Sequence, residues 1–162
     1  MEFTLRAFRR DDFETLWRID QKCFPAGISY SRLELAAYVR RRGSFTLVAE
    51  GVAANQAEPA AVLGFIVAEA SRRGIGHIIT IDVVQAARRW GVGSRLLGAV
   101  EDRLRSAKCH RVSLETAVDN QAALAFYIRH RYDVVKTVPQ YYAGGVDALV
   151  LQKDLLSQAE AS

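Results

Sequence analysis

The run HIITIDVV, residues 77–84, constrains this chain more than any other. Five of its residues are β-branched aliphatics, and because Ile78-Ile79 and Val83-Val84 are adjacent they occupy both faces of an extended chain rather than one. Alternation with a period of two marks a strand wetted on one face, whereas a run without it marks a strand covered on both. The run therefore predicts a central strand with helices on either side. Its sequel narrows the topology. Arg88-Arg89-Trp90-Gly91-Val92-Gly93 breaks the pattern, and from Ser94 the apolar residues fall at Leu96, Leu97, Val100 and Leu104, a helical spacing. HRVSLETAV, residues 110–118, is a strand again. A strand, a helix and a strand in succession imply a crossover connection and a partly parallel sheet.

The rest of the chain fills in around this unit. Phe3 to Phe8 alternates weakly and suits an edge strand. Asp11 is the expected N-cap of a helix carrying Phe13, Leu16, Trp17 and Asp20 on one face, which Pro25 and Gly27 end. Ser31-Arg32-Leu33-Glu34 is a capping-box pattern, and it predicts a second helix to about Arg41. SFTLVAE and AVLGFIVAEA read as strands around the loop GVAANQAEP (51–59), and SRRGIG as the turn before the central strand. Asp119 or Asn120 caps a helix bearing Ala123, Leu124, Tyr127 and Ile128. YDVVKTV and ALVLQKDL are strands joined by PQYYAGGVD, and SQAEAS reads as a tail. The expectation is a single mixed α/β (α+β) domain over 1–156, a three-layer αβα arrangement, with a flexible tail over 157–162.

Bulk properties limit the function classes. At 162 residues the chain can bury a sizeable core. No apolar run approaches the roughly 20 residues that span a bilayer, and Met1 to Asp12 has no signal-peptide core, so a cytoplasmic protein is expected. Cys23 and Cys109 stand far apart, and His77, His110 and His130 show no metal-ligand spacing, so two free thiols and no metal are expected. The formal net charge is +4, and its arginines gather as Arg9-Arg10, Arg40-Arg41-Arg42, Arg72-Arg73 and Arg88-Arg89. An anionic partner follows from this. A phosphorylated cofactor or an acidic protein suits it better than nucleic acid, because no helix has a continuous basic face and no nucleic-acid reader motif is present.

The arginine–glycine turn is where an anion would be held. A helix N-terminus presents unpaired N–H groups and partial positive charge, and glycines let a ligand approach the backbone. The turn is neither the dinucleotide fingerprint, since the third glycine is missing, nor a P-loop, since no Gly-Lys-Ser/Thr follows. Taken alone it is either a phosphate site or a solvated turn. Glu115, taken alone, is either a functional carboxylate or a solvent-facing charge, and Tyr127 either an acid or plain core.

Arg88-x-x-Gly91-x-Gly93, after a strand and before a helix, resembles the pyrophosphate loop of the GNAT superfamily of N-acetyltransferases, and the likeness extends from Leu5 to Leu155 in element order. SLETAVDNQAALAFY is similar to the second motif of that superfamily, in the form found in ribosomal-protein N-alanine acetyltransferases and other protein N-terminal acetyltransferases. The resemblance implies acetyl-CoA as cosubstrate and transfer of its acetyl group to a primary amine, most naturally the α-amine of a protein or peptide. Ile81, Asp82 and Val83, on a strand with a bulge, would pair with pantetheine. Arg88, Arg89, Gly91, Val92, Gly93 and Ser94 would hold the pyrophosphate, and Asn120 and Tyr127 would contact the pantetheine arm. Glu115 would be the general base through water, helped by a pKa raised on burial, and Tyr127 the general acid for the departing thiolate. The N–H of Val83 would polarise the thioester. His77 stands where some relatives place a tyrosine base, and it is either a second base or a structural strand-end histidine.

Phe24, Pro25 and Tyr30, with Tyr141 and Tyr142, fall where those relatives build a peptide groove, although Tyr141 and Tyr142 also suit a hairpin stabilised by cross-strand aromatics. A monomer or weak dimer is expected, with a protein N-terminus, such as that of a ribosomal protein, as partner. The alternatives are a small-molecule amine acetyltransferase and a non-catalytic CoA-binding module. Departures from the pattern are Arg131-Tyr132 in place of Gly-Phe, which predicts a reshaped turn, Trp90 in the glycine turn, and the long 51–59 loop.

Overall fold

A computed structural model describes residues 2–53, 55 and 59–156. The predicted tail and part of the 51–59 loop lie outside the described residues. The elements follow the predicted order: β1 Phe3–Ala7, α1 Phe13–Cys23, α2 Arg32–Arg40, β2 Ser44–Gly51, β3 Val62–Ala70, β4 Ile75–Val83, α3 Val92–Ser106, β5 Arg111–Ala117, α4 Gln121–Arg129, β6 Asp133–Val138 and β7 Ala148–Asp154. They form one sheet ordered β1-β2-β3-β4-β5-β7-β6, which makes β4 the middle strand. The β4–β5 pair is parallel and its neighbours are antiparallel.

The unalternating pattern of β4 is explained by the layer on each face. On one face Leu96, Leu97, Val100 and Leu104 of α3 pack with Ile66, Ala68 and Ile78, and α4 adds Tyr127. On the other, Leu16 and Ile19 of α1 and Leu35 of α2 pack with Val48, Phe65 and Val67. This is the expected three-layer mixed sheet. At Gly76 a Cβ would fall 2.5 Å from Leu104, and at Gly64 2.5 Å from the Asp82 carbonyl, so both glycines let neighbouring elements close on β4.

Two local expectations need revision. Asp11 does not cap α1. A 3-10 turn over Arg10–Asp12 precedes the helix and puts Asp12 at the N-cap position, and the Asp12 carboxylate instead takes both terminal nitrogens of Arg6 at 2.8 Å. The Ser31 capping box forms as expected. The turn after α4 is not reshaped. Arg131 adopts the left-handed conformation (φ 71°) that a glycine would take, and Arg131 N–H bonds Ile128 O while Tyr132 N–H bonds Tyr127 O. These two bonds make a Schellman cap, and the arginine carries about 1–2 kcal/mol of backbone strain. Arg131 itself is exposed.

Tyr132 has a second role that its sequence position does not announce. It is buried, and its hydroxyl donates to Glu101 Oε2 of α3 at 2.8 Å; Lys153 of β7 donates to Glu101 Oε1 at 2.9 Å. The three residues tie α3 to the far half of the sheet. Removing one member of such a buried ion pair strands the other charge. Lys153→Met is therefore expected to lower unfolding free energy by about 3–5 kcal/mol, read as a large drop in melting temperature; a drop within about 0.5 kcal/mol, the range for surface substitutions, would show the pair to be solvated.

Candidate functional site

The site begins where the two parallel strands part. β4 and β5 pair only over Ile75–Arg111, Gly76–Val112 and His77–Ser113. From Ile78 onward β4 has no strand partner on that side, while β5 continues to Ala117 against β7. The main-chain groups of the second half of β4, including Ile81 to Val83, therefore face an open wedge. The bulge expected on β4 lies slightly earlier than Ile81: Val67 opposes Thr80 and Ala68 opposes Ile78, leaving Ile79 as the extra residue. A bulge bends its strand and increases its local twist, which accounts for the divergence.

At the open end of the wedge stands the N-terminus of α3. Arg89 (φ 73°) and Gly91 (φ 82°) are both left-handed, and no side chain caps the helix, so the N–H groups of Val92, Gly93 and Ser94 point outward unclaimed by a cap. Apart from its chain neighbours and its own helix backbone, no described residue lies within 4 Å of a Cβ built on Gly91, so the space beside the turn is free of them. This arrangement fits a phosphate group. The side chains are deployed differently from expectation. Arg88 folds back, with Nε 3.3 Å from Val83 O and Nη2 3.9 Å from the Cys23 sulfur. The Ser94 hydroxyl is 2.9 Å from His130 Nε2, so Ser94 offers its N–H rather than its hydroxyl. Asn120 caps α4 as one of the two expected candidates, its side-chain oxygen accepting from Ala123 N–H. Asp82 has its carboxyl turned away from the wedge, buried beside Asp20 and accepting from the Thr80 hydroxyl. Only its backbone is available to a ligand. Burial and the neighbouring Asp20 push the Asp82 carboxyl well above the usual carboxylate range. Trp90 is half-exposed, with no aromatic or cation–π partner among the described residues.

The closed end of the wedge holds the titratable cluster. Residues 113 and 115 share a face of β5 by the period-2 rule, and Ser113 pairs with His77, so Glu115 lies diagonally beside it. His77 Nε2 is 3.0 and 2.8 Å from the two Glu115 oxygens. On the other flank Glu69 of β3 is directly opposite His77 in register, with Oε1 3.6 Å from Nδ1. The Tyr141 hydroxyl donates to Glu115 Oε1 at 3.2 Å. Sequence reasoning missed Glu69, although Glu69 and His77 are symmetric about Arg73 in the tight turn after β3.

The expected rise in the Glu115 pKa is not what this setting gives. Burial pushes it up, but the hydrogen bond and positive charge of His77, with the Tyr141 hydroxyl, hold it below its ordinary value. Burial pushes His77 down, yet the bond and charge of Glu115, with Glu69, raise it above 6.5. Burial and the Glu115 carboxylate lift the Tyr141 phenol to about 12, so it stays a donor. His77 is thus not a strand-end histidine bonded to a loop. It bridges Glu115 of β5 and Glu69 of β3.

Tyr127 lies across the wedge on α4. It is buried, packs edge-on to Phe126 and Tyr132, and its hydroxyl makes no hydrogen bond among the described residues. Burial first, then the charge of Asp82, raises its pKa, so it keeps its proton. The Schellman cap at Arg131 and the Tyr132 ring hold it in place.

The predicted groove residues border the cluster. Tyr30 is fixed: its N–H bonds Asp20 Oδ2 at 2.8 Å and its hydroxyl donates to Ile79 O, the bulged residue, at 3.3 Å. Phe24 ends α1, and Pro25 accepts from Ile28 and Ser29 in a tight turn. This loop meets the β6–β7 connection, where a Cβ on Gly27 would lie 3.3 Å from Gly144 N. In that connection Tyr141 and Tyr142 pack edge-on at 4.9 Å. The two segments thus border one opening in front of Glu115.

The sign of the pH dependence follows. The stabilisation from His77 is complete below 6.5 and is lost as pH rises through its raised value. That from Glu115 is complete above 4.5 and is lost as pH falls through its depressed value. Nuclear magnetic resonance titration of His77 is expected to give a value above 6.5 that falls below it in Glu115→Gln, where burial acts with less opposition; an unchanged value would separate the two groups.

The acetyltransferase (GNAT) family matches residues 13–131. An N-alpha-acetyltransferase of Saccharolobus solfataricus is 27% identical over 159 residues, covering 95% of this chain and 94% of that protein. An uncharacterised N-acetyltransferase of Methanocaldococcus jannaschii is 38% identical over 81 residues, 49% of this chain and 52% of that protein. The crystal structure of Ard1 from Thermoplasma volcanium superposes with a TM-score of 0.83 at 27% identity, covering 95% of this chain and 98% of that one.

Proposed function

The chain belongs to the acetyltransferase (GNAT) family, and from that premise we propose that it acetylates the N-terminal α-amine of a polypeptide through the Glu115–His77 pair, with Tyr127 as acid. The observation that carries this reading is the cluster itself. A base, its charge partner and a phenol meet at the closed end of the wedge, in front of an opening bordered by Tyr30, Tyr141 and Tyr142. The full-length likeness to an N-alpha-acetyltransferase supports the choice of acceptor over a small-molecule amine. Ribosomal-protein N-termini fall within this acceptor class.

Acetyl-CoA supplies an activated acyl group at the wedge. The residues present suit it: the N–H groups of Val92, Gly93 and Ser94 would hold the pyrophosphate, and the free edge of Ile81 to Val83 would pair with pantetheine. An α-amine near neutral pH is largely ammonium and cannot attack until it loses a proton. Glu115, held low, is a weak acceptor by itself. Neutral His77, with Nε2 2.8 Å away, can take on a proton captured at the Glu115 carboxylate, so the reaction draws on the form of the site present above the raised His77 pKa. Tyr141 orients the carboxylate by donating to it. Val83 N–H would steady the carbonyl oxygen. Tyr127, protonated and without a hydrogen-bond partner among the described residues, is free to donate to the leaving sulfur.

The test is thiol release from acetyl-CoA with peptides of varied first residue against polyamines. Release with peptides alone supports the reading; release with polyamines alone moves the acceptor to small amines; CoA binding without turnover indicates a binding module. Tyr127→Phe is expected to lower kcat by about 10²–10⁴-fold, the range for general acid–base catalysis, with CoA affinity nearly unchanged; full turnover would remove Tyr127 from the reaction. Gly91→Glu is expected to abolish CoA binding, because its carboxylate enters the free space at the helix N-terminus; retained binding would place the phosphates elsewhere.

A further inference from the structure

Behind His77, on its Nδ1 side, lies a pocket of 440 Å³ lined by Arg42, Glu69, Ala70, Ser71, Ile75 and His77. It shares Glu69 and His77 with the titratable cluster. The chain geometry that builds it is local. Ala70 N–H bonds Gly43 O, which brings the end of α2 against the end of β3, and the turn Ser71–Gly74 closes the third side. These two junctions carry the arginine clusters of the sequence. Arg40 and Arg42 follow from α2; Arg72 and Arg73 sit in the turn at the rim. All four are exposed, and none is ion-paired among the described residues. The one acid in the pocket, Glu69, is already matched, at 3.3 Å by Arg41 and 3.6 Å by His77.

The free charge around this recess is therefore positive, and the recess adjoins His77, the partner of the group that would deprotonate the acceptor. An extended chain advances about 3.3–3.6 Å per residue, so a polypeptide whose amine faces Glu115 would bring its third to sixth residues to about 7–18 Å from that amine. We infer that this pocket and its arginine rim form a subsite for acidic side chains of the acceptor polypeptide, a few residues after its acetylated N-terminus. The inference rests on the N-terminal acetylation reading and adds the substrate class to it. Charge of this kind selects partners through association more than through tight binding, and a basic N-terminal tail would be repelled.

The test uses the full chain and peptides that share their first two residues but carry Asp and Glu, Ser and Gly, or Lys and Arg at positions three to six. The acidic series is expected to show a KM about tenfold below the basic series, as for a few rim charges acting together, with kcat similar and the preference shrinking as salt screens it. The double substitution Arg72→Glu with Arg73→Glu, and separately Arg42→Glu, are expected to erase or reverse the preference while leaving kcat on the neutral series and CoA binding unchanged. Equal KM across the three series, or a preference untouched by both variants, overturns the subsite while the acetylation reading stands. Absence of turnover on every peptide overturns the acetylation reading, and the subsite with it.

Discussion

After His77 the two central strands cease to pair, and the chemistry of this protein is arranged around that gap. Three residues of parallel pairing hold β4 to β5; one extra residue at Ile79 then turns β4 away. A parallel pair needs a crossover, and here α3 makes it, so the helix N-terminus lands at the open mouth of the gap and its N–H groups face outward. The closed vertex gathers side chains from three adjacent strands, because Glu69 lies opposite His77 and Glu115 lies two residues beyond the β5 partner of His77 on the same face. A single irregularity in one strand thus supplies both the free main-chain edge and the place where acid and base meet.

The surroundings serve to keep that wedge open and dry. The Glu101–Tyr132–Lys153 group ties α3 to β7 across the far half of the sheet, and the Schellman cap at Arg131 sets the angle at which Tyr127 enters. On the opposite face Tyr30 binds the bulge through Ile79 O, and its own N–H is held by Asp20, whose partner Asp82 lies on β4. The loop that borders the opening is therefore anchored to the strand that borders the wedge. Burial makes these contacts matter: among the described residues no donor reaches Asp20 Oδ1 or Asp82 Oδ2, so the two carboxyl groups are compatible with the interior only if the pair retains a proton.

Much of this was legible in the sequence, and the parts that were not have a common cause. Local signals sufficed for the element order: the unalternating HIITIDVV, the Ser31 capping box and the helical spacing after Ser94. The spacing of Arg88, Gly91, Glu115 and Tyr127 pointed to the family, and Glu115, Tyr127 and Tyr141 do converge on the wedge, with His77 beside them. What local reading missed depends on register and competition between partners. Glu69 reaches His77 only through hairpin register. Asp12 prefers Arg6, a residue on β1, to the helix end that Asp11 was expected to cap. Arg88 turns back to Val83. The pKa of Glu115 moves opposite to the burial argument because a second titratable group, seen singly as ambiguous, stands 2.8 Å away.

The central claim is that a single wedge binds acetyl-CoA along β4 and delivers a polypeptide amine to Glu115 and His77. A crystal structure with a conjugate of CoA and a peptide α-amine tests it most directly. The account predicts pyrophosphate on the N–H groups of Val92, Gly93 and Ser94, pantetheine along Ile81 to Val83, and the peptide nitrogen within hydrogen-bond reach of Glu115, directly or through one water. A conjugate whose phosphates lie away from the α3 N-terminus, or whose peptide nitrogen faces neither Glu115 nor His77, would contradict it.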